Sequence, residues 1–280
     1  MPDRLRLTQP LPTLNAWVDA FARAEVPVLA ETAEALELMR ATEDDVDAHS
    51  LGELIVTDPL MSLKVLVGAS ELLRGRSPGL RADAETVTAA IVLMGITPFF
   101  RSFGPQPTLE AVLADDDEAL LGLSRVMQRA ERASRYALGF AAHRADPDAA
   151  IIHSAALLHD FAEMLLWVHA PDLALRIARD QQADRSLRSA TAQRQVLGIT
   201  LAELEQALMK RWQLPALLAH ITREQNSRDP QVRCVQLAVR VARHTARGWD
   251  DAALPDDLRE IAELLNLGEA HALKLLREFD

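Results

Sequence analysis

Apolar residues recur every three to four positions from Leu120 through Ala142, between Pro27 and Arg40, and between Ile261 and Phe279, in the last two stretches beside Glu and Arg. That spacing is the stripe of an amphipathic helix docked on a core. No stretch alternates at period two over a useful length, and no period marks a solenoid, so the pattern predicts an all-α chain in which any sheet is minor. Helix punctuation agrees. Ser50-Leu51-Gly52-Glu53 reads as a capping box, and Asp58-Pro59, Asp146-Pro147 and Asp229-Pro230 each place an N-cap side chain before a proline at the first helical position. Short helices with short connections suit an irregular bundle. A boundary is predicted at Gly104 to Glu118, where Gly104, Pro105 and Pro107 precede the acidic run Asp115-Asp116-Asp117-Glu118. Carboxylates favour the positive end of a helix dipole, so the run also begins the next helix. Two lobes follow, residues 1–104 and 118–280.

Composition excludes several classes. At 280 residues the chain is long enough for one large helical domain or two modest ones, and 49% hydrophobic with 25% charged residues rules out disorder. Only 4% of residues are aromatic, against 11 Gly and 14 Pro, which favours helix over sheet. A net charge of −11 repels the phosphate backbone, so general nucleic-acid binding is disfavoured. Cys234 stands alone, which excludes an intrachain disulfide and a thiolate-rich zinc site and fits a reducing cytoplasm. Residues 1–14 lack the apolar core of a secretory signal. The apolar stretch Ala89 to Phe100 is interrupted by Gly95, Thr97 and Pro98 and falls short of the roughly 20 residues that span a bilayer, so it reads as a buried helix and turn rather than an anchor. No glycine-rich phosphate loop, dinucleotide fingerprint or nucleophile elbow occurs, and no cofactor is expected.

Asp58-Pro59-Leu60-Met61-Ser62-Leu63-Lys64-Val65-Leu66, followed by Ala90-Ile91-Val92-Leu93-Met94-Gly95, resembles the amino-terminal signature of the HDOD family, the HD-related output domains of bacterial signalling proteins. Ala156-Leu157-Leu158-His159-Asp160 is similar to the family's Gly-Leu-Leu-His-Asp segment. Gly198 with Trp212-Gln213-Leu214-Pro215 falls at the spacing of its later Gly…Trp-x-Leu-Pro segment. The order and spacing of the four segments, within residues 10 to 225, carry the resemblance. It implies a helical amino-terminal lobe joined to a degenerate version of the metal-dependent HD phosphohydrolase core, and a regulatory role. The chain departs from the family at Ser70-Glu71, in place of Asn-Ser. It departs again at Leu201 and Glu205, in place of His and Gly, and at Glu224-Gln225, in place of a His pair.

An HD phosphohydrolase needs a His from one helix, an adjacent His-Asp pair from another and a distal Asp, which together hold a divalent metal that activates water. Only His159-Asp160 is in place. The helix due to supply the first His offers Arg125, Arg129, Arg132 and Arg135 and no His before His143, and guanidinium has no donor lone pair. Val239 stands where the distal Asp would follow Leu237-Ala238. His153 lies roughly 10 Å along the helix axis from Asp160, too far to share a metal. His159 and Glu163 form an i,i+4 pair that leaves coordination to other helices. His159 and Asp160 are therefore expected to be structural, with Asp160 accepting hydrogen bonds from a helix start or from a neighbouring His or Arg. Trp212 is expected to plug the core between helices.

Arg125, Arg129, Arg132 and Arg135 follow one helical stripe, and Arg233, Arg240, Arg243, His244 and Arg247 form a second basic cluster. Such stripes either bind carboxylate or phosphate, as on an acidic partner helix or a nucleotide second messenger, or neutralise the protein's own acidic helices. The segment 254–280 lies beyond the family resemblance and either completes the lobe, covers it or makes a dimer contact. The reading that emerges is a non-catalytic, cytoplasmic bacterial signalling protein acting through contacts with another signalling protein. The alternatives are a divergent metal-dependent phosphohydrolase, or a sensor in which the Arg125–Arg135 stripe binds a phosphorylated small molecule.

Overall fold

The structure, a computed structural model, describes residues 5–76, 84–222 and 228–280. The described residues contain seventeen α-helices and no strand and are 74% helical, as the spacing of apolar residues predicts. In chain order the helices are α1 (Leu14–Arg23), α2 (Ala30–Ala41), α3 (Ala48–Ile55), α4 (Pro59–Arg76), α5 (Val87–Met94), α6 (Ile96–Ser102), α7 (Leu109–Val112), α8 (Asp117–His143) and α9 (Ala149–Leu158). They continue as α10 (Phe161–His169), α11 (Pro171–Ala183), α12 (Ser189–Leu197), α13 (Leu201–Trp212), α14 (Ala216–Ile221), α15 (Pro230–His244), α16 (Leu254–Leu265) and α17 (Glu269–Phe279). Extended pairing is confined to isolated bridges such as Val28 with Thr108.

The helices form two compact units, each drawn from separate stretches of chain: residues 1–126 with 160–214, and residues 127–159 with 215–280. These differ from the lobes 1–104 and 118–280 read from the sequence. The Gly104–Glu118 segment does end one helical run and start α8, with Asp117 and Glu118 in the first turn and Asp116 Oδ1 accepting from the Ala119 amide at 3.1 Å. It is nevertheless not where packing divides. In the first unit α1 lies on α13, burying Trp17, Val18 and Phe21, and the Trp17 indole donates to the Leu197 carbonyl at 3.3 Å. Helix α4 packs on both α10 and α13. Amino-terminal helices thus share one core with helices far along the chain, which a boundary read from turn residues does not reveal. In the second unit α9 packs against α14 and α15, α15 against α16, and α16 against α17.

Asp58 organises the amino-terminal helices. Its Oδ1 accepts from the Leu60 and Met61 amides at 2.9 and 3.0 Å, capping α4, while Oδ2 accepts from the Leu29 amide at 2.8 Å, at the start of α2. The residue is 0% exposed, and burial pushes its carboxyl above the usual carboxylate range against the opposing pull of these amides. Lys64, nearly two turns on, donates to the Val26 carbonyl at 2.7 Å and to Gln106, and so holds the loop before α2.

Two predicted helix starts are displaced. Helix α3 begins at Ala48, capped by Asp47, whose Oδ1 accepts from the His49 and Ser50 amides at 2.9 and 2.8 Å; Ser50 is inside the helix, and Glu53 pairs with His49. An Asp three residues upstream outcompetes the Ser for the orphan amides. Helix α9 begins two residues after Pro147, with Asp146 instead bracing the turn by accepting from the Asp148 amide at 3.0 Å. Asp229-Pro230 starts α15 as predicted. Ala89 to Phe100 is indeed a helix pair broken at Gly95 (φ 83°). The one stretch among the described residues long and apolar enough to cross a membrane is another, Ala149–His169, which is 72% buried and divided between α9 and α10.

Replacing Asp58 with Ala is expected to cost about 2–4 kcal/mol, combining a lost cap with the buried Leu29 amide left unpaired, and Asp58→Asn about half of that, measured by urea unfolding. Cys234 is buried, which pushes its thiol up to about 11. A thiol-specific disulfide reagent at mildly alkaline pH should therefore leave it unmodified in the native protein and react fully once denaturant is added.

Candidate functional site

His159 and Asp160 form the elbow between α9 and α10. His159 keeps helical dihedrals (φ −54°, ψ −36°) as the last residue of the α9 turn and is 6% exposed. Asp160 has φ −104° and ψ 19°, and its carbonyl accepts from the Glu163 and Met164 amides at 3.0 and 3.1 Å. The first turn of α10 is therefore satisfied by the Asp160 backbone, and its carboxylate makes no cap bond to that helix. A side-chain cap on α10 would require extended dihedrals at Asp160, which it lacks.

The other positions of the HD constellation carry the wrong chemistry. Val239 is 5% exposed on the buried face of α15, which packs against α9. Burial of His153, on α9, lowers its pKa below the usual imidazole range. Among the described residues no three His, Cys, Asp or Glu side chains come together in a group able to hold a metal ion. A metal of the HD hydrolase type therefore does not fit this donor set. The family's His pair position, Glu224-Gln225, lies outside the described residues.

The four arginines of the stripe lie on one continuous helix, α8. Arg135 is exposed and pairs with Glu131 on its own helix at 2.9 Å. Arg132 is only 17% exposed. It ion-pairs with Asp280, donates to the Thr245 carbonyl at 2.9 Å, and lies 5.8 and 5.9 Å from the ring centres of Tyr136 and Trp249.

The second basic cluster faces acidic residues of α16. Arg240 pairs with Asp257 at 2.6 Å and with Glu260 at 2.7 Å, His244 Nδ1 lies 2.5 Å from the other Asp257 oxygen, and Arg233 reaches Glu263 at 3.5 Å. Asp257 is 2% exposed. A carboxylate so buried persists because two basic side chains converge on it. The basic side of α15 thus docks a helix of the chain's own carboxy-terminal segment.

Trp212, 5.8 Å from the Phe161 ring, is a buried core residue as expected. Gly198 ends α12 in the left-handed region (φ 77°), and two residues later Thr200 and Glu203 form a capping box at the start of α13. The pattern Thr200-Leu201-Ala202-Glu203 was visible in the sequence and passed over there. Arg240→Ala should lower stability by about 2–3 kcal/mol in urea unfolding, less than the ~3–5 of a fully buried pair, because Arg240 is partly exposed and His244 remains beside Asp257.

Comparison with known proteins adds the family to this geometry. No curated protein matches the chain. Among solved structures, the MmoQ response regulator of Methylococcus capsulatus str. Bath superimposes with a TM-score of 0.64 at 21% identity, covering 91% of this chain and 98% of that one. A virulence factor from Campylobacter jejuni subsp. jejuni gives 0.63 at 15% identity, covering 95% of this chain and 97% of that one. Both likenesses speak to the fold. The sequence profile of the HDOD domain matches residues 26–228, a span that begins just before α2, takes in the Asp58 cap and the His159–Asp160 elbow, and ends short of α15. With well over half of its length matched in this way, the chain belongs to the HDOD family.

Proposed function

We propose that this HDOD protein is a non-catalytic signalling component, working in the cytoplasm of a bacterium through contacts with another protein. One observation carries the reading: Val239, which stands where the family's distal Asp would be, is buried on α15 in its packing against α9. A fold that has given up its donors while keeping its helices retains a shaped surface, and recognition is the use that remains for it. Membership of the HDOD family supports a signalling role, and the response-regulator designation of the MmoQ protein is consistent with it. The lone buried cysteine suits a reducing compartment.

The test is metal analysis of protein purified without chelator, combined with hydrolysis assays on phosphodiester and nucleotide substrates. Substoichiometric metal and no turnover above background are expected. In the same assays His159→Ala should change nothing, while lowering stability by about 1–3 kcal/mol through loss of a buried polar group's partners. Stoichiometric Fe, Mn or Zn with turnover abolished by His159→Ala would overturn the proposal in favour of a rearranged hydrolase.

A further inference from the structure

The carboxy-terminal helix ends in an unusual seat. Along its length α17 buries only Ala272 and Leu276 and packs on α16. Its last residues engage α8 instead. The Phe279 ring lies on Gly139, where an added β-carbon would come within 2.2 Å of Cε2, so only glycine leaves room for the ring. Beside the ring, the Asp280 carboxylate pairs with Arg132, accepts from the Tyr136 hydroxyl at 3.1 Å and accepts from the Trp249 side chain. The donors are themselves held in place. Arg132 is tied to the Thr245 carbonyl and lies over the rings of Tyr136 and Trp249, and Arg277 covers Trp249 at 5.4 Å.

These contacts make a slot for one aromatic ring next to three converging donors for one carboxylate. The occupant is held lightly. Asp280 is 29% exposed, and an ion pair that open to water contributes little. A second copy of the chain would offer the same contacts without the advantage of being tethered, so it gains nothing over the chain's own tail. A different protein that presents the same pair of side chains and adds contacts of its own does gain.

We propose that Arg132, Tyr136, Gly139 and Trp249 form a docking site for an aromatic–acidic segment of a partner protein, with Phe followed by Asp or a like pair, and that Phe279–Asp280 occupies this site in cis until displaced. The proposal rests on the contact-based function above and names its surface and the chemistry of its partner.

The test uses the full chain and a fluorescein-labelled peptide of residues 269–280, read by anisotropy. Wild type should bind it weakly, and the double variant Phe279→Ala, Asp280→Asn about tenfold or more tightly, because its seat is vacant. Adding Arg132→Met or Gly139→Leu to the double variant should remove the gain. On the unmodified chain, excess peptide should raise amide exchange within 269–280, a readout that does not depend on any variant folding. No gain in the double variant, a gain that survives Arg132→Met, or unchanged exchange would overturn the proposal, as would a dimer formed by tail exchange between copies. Those results leave the non-catalytic reading intact if metal and turnover are absent; metal-dependent hydrolysis together with normal peptide displacement would sink that reading and spare the docking site.

Discussion

Every helix start leaves amides without intrahelical partners, and with seventeen mostly short helices among its described residues the chain must dispose of many of them in its interior. Asp58 is where that constraint bears hardest. One buried carboxylate terminates the exposed requirements of two helix starts, α4 through Leu60 and Met61 and α2 through Leu29, and thereby fixes how α2 and α4 approach each other. Burial of the charged group is unfavourable, and the converging amides are what offset it. The first residues of the family signature, Asp58-Pro59, thus have a physical reason that involves no catalysis: the aspartate joins two helices and the proline, lacking an amide, adds no further orphan.

The same economy runs through the second unit. Some arginines that in isolation suggest a ligand face meet the chain's own carboxylates: Arg240, with His244 beside it, pairs with Asp257, and Arg132 pairs with Asp280. The segment 254–280, outside the matched family span, joins the rest of its unit through buried apolar residues of α16 and α17 and through the ion pairs of Asp257 and Asp280. Where the family's distal Asp would stand, the chain places Val239 in the packing of α15 against α9.

Much of this was legible from particular residues. The acidic run ending at Glu118 announced the start of α8, and Asp58-Pro59 and Asp229-Pro230 announced α4 and α15, because caps act over three residues and are local. Ser50 misled, since Asp47 reaches the same amides from one turn earlier, and the Thr200–Glu203 box was overlooked although its pattern is as plain. The division at Gly104–Glu118 marked a turn in the chain and not a division of the core, because Trp17 and Phe21 find their partners on α13.

What the sequence alone determined is therefore the helical class, the order of most elements and the family, all of which depend on spacing of a few residues or on the presence of a side-chain type. The tertiary structure decided the rest: which helices share a unit, which arginine meets which carboxylate, and that Gly139 receives the Phe279 ring. Those outcomes pair residues as many as 180 positions apart, and no local periodicity encodes a partner at that separation; they follow only once the packing of apolar faces has brought the backbones together.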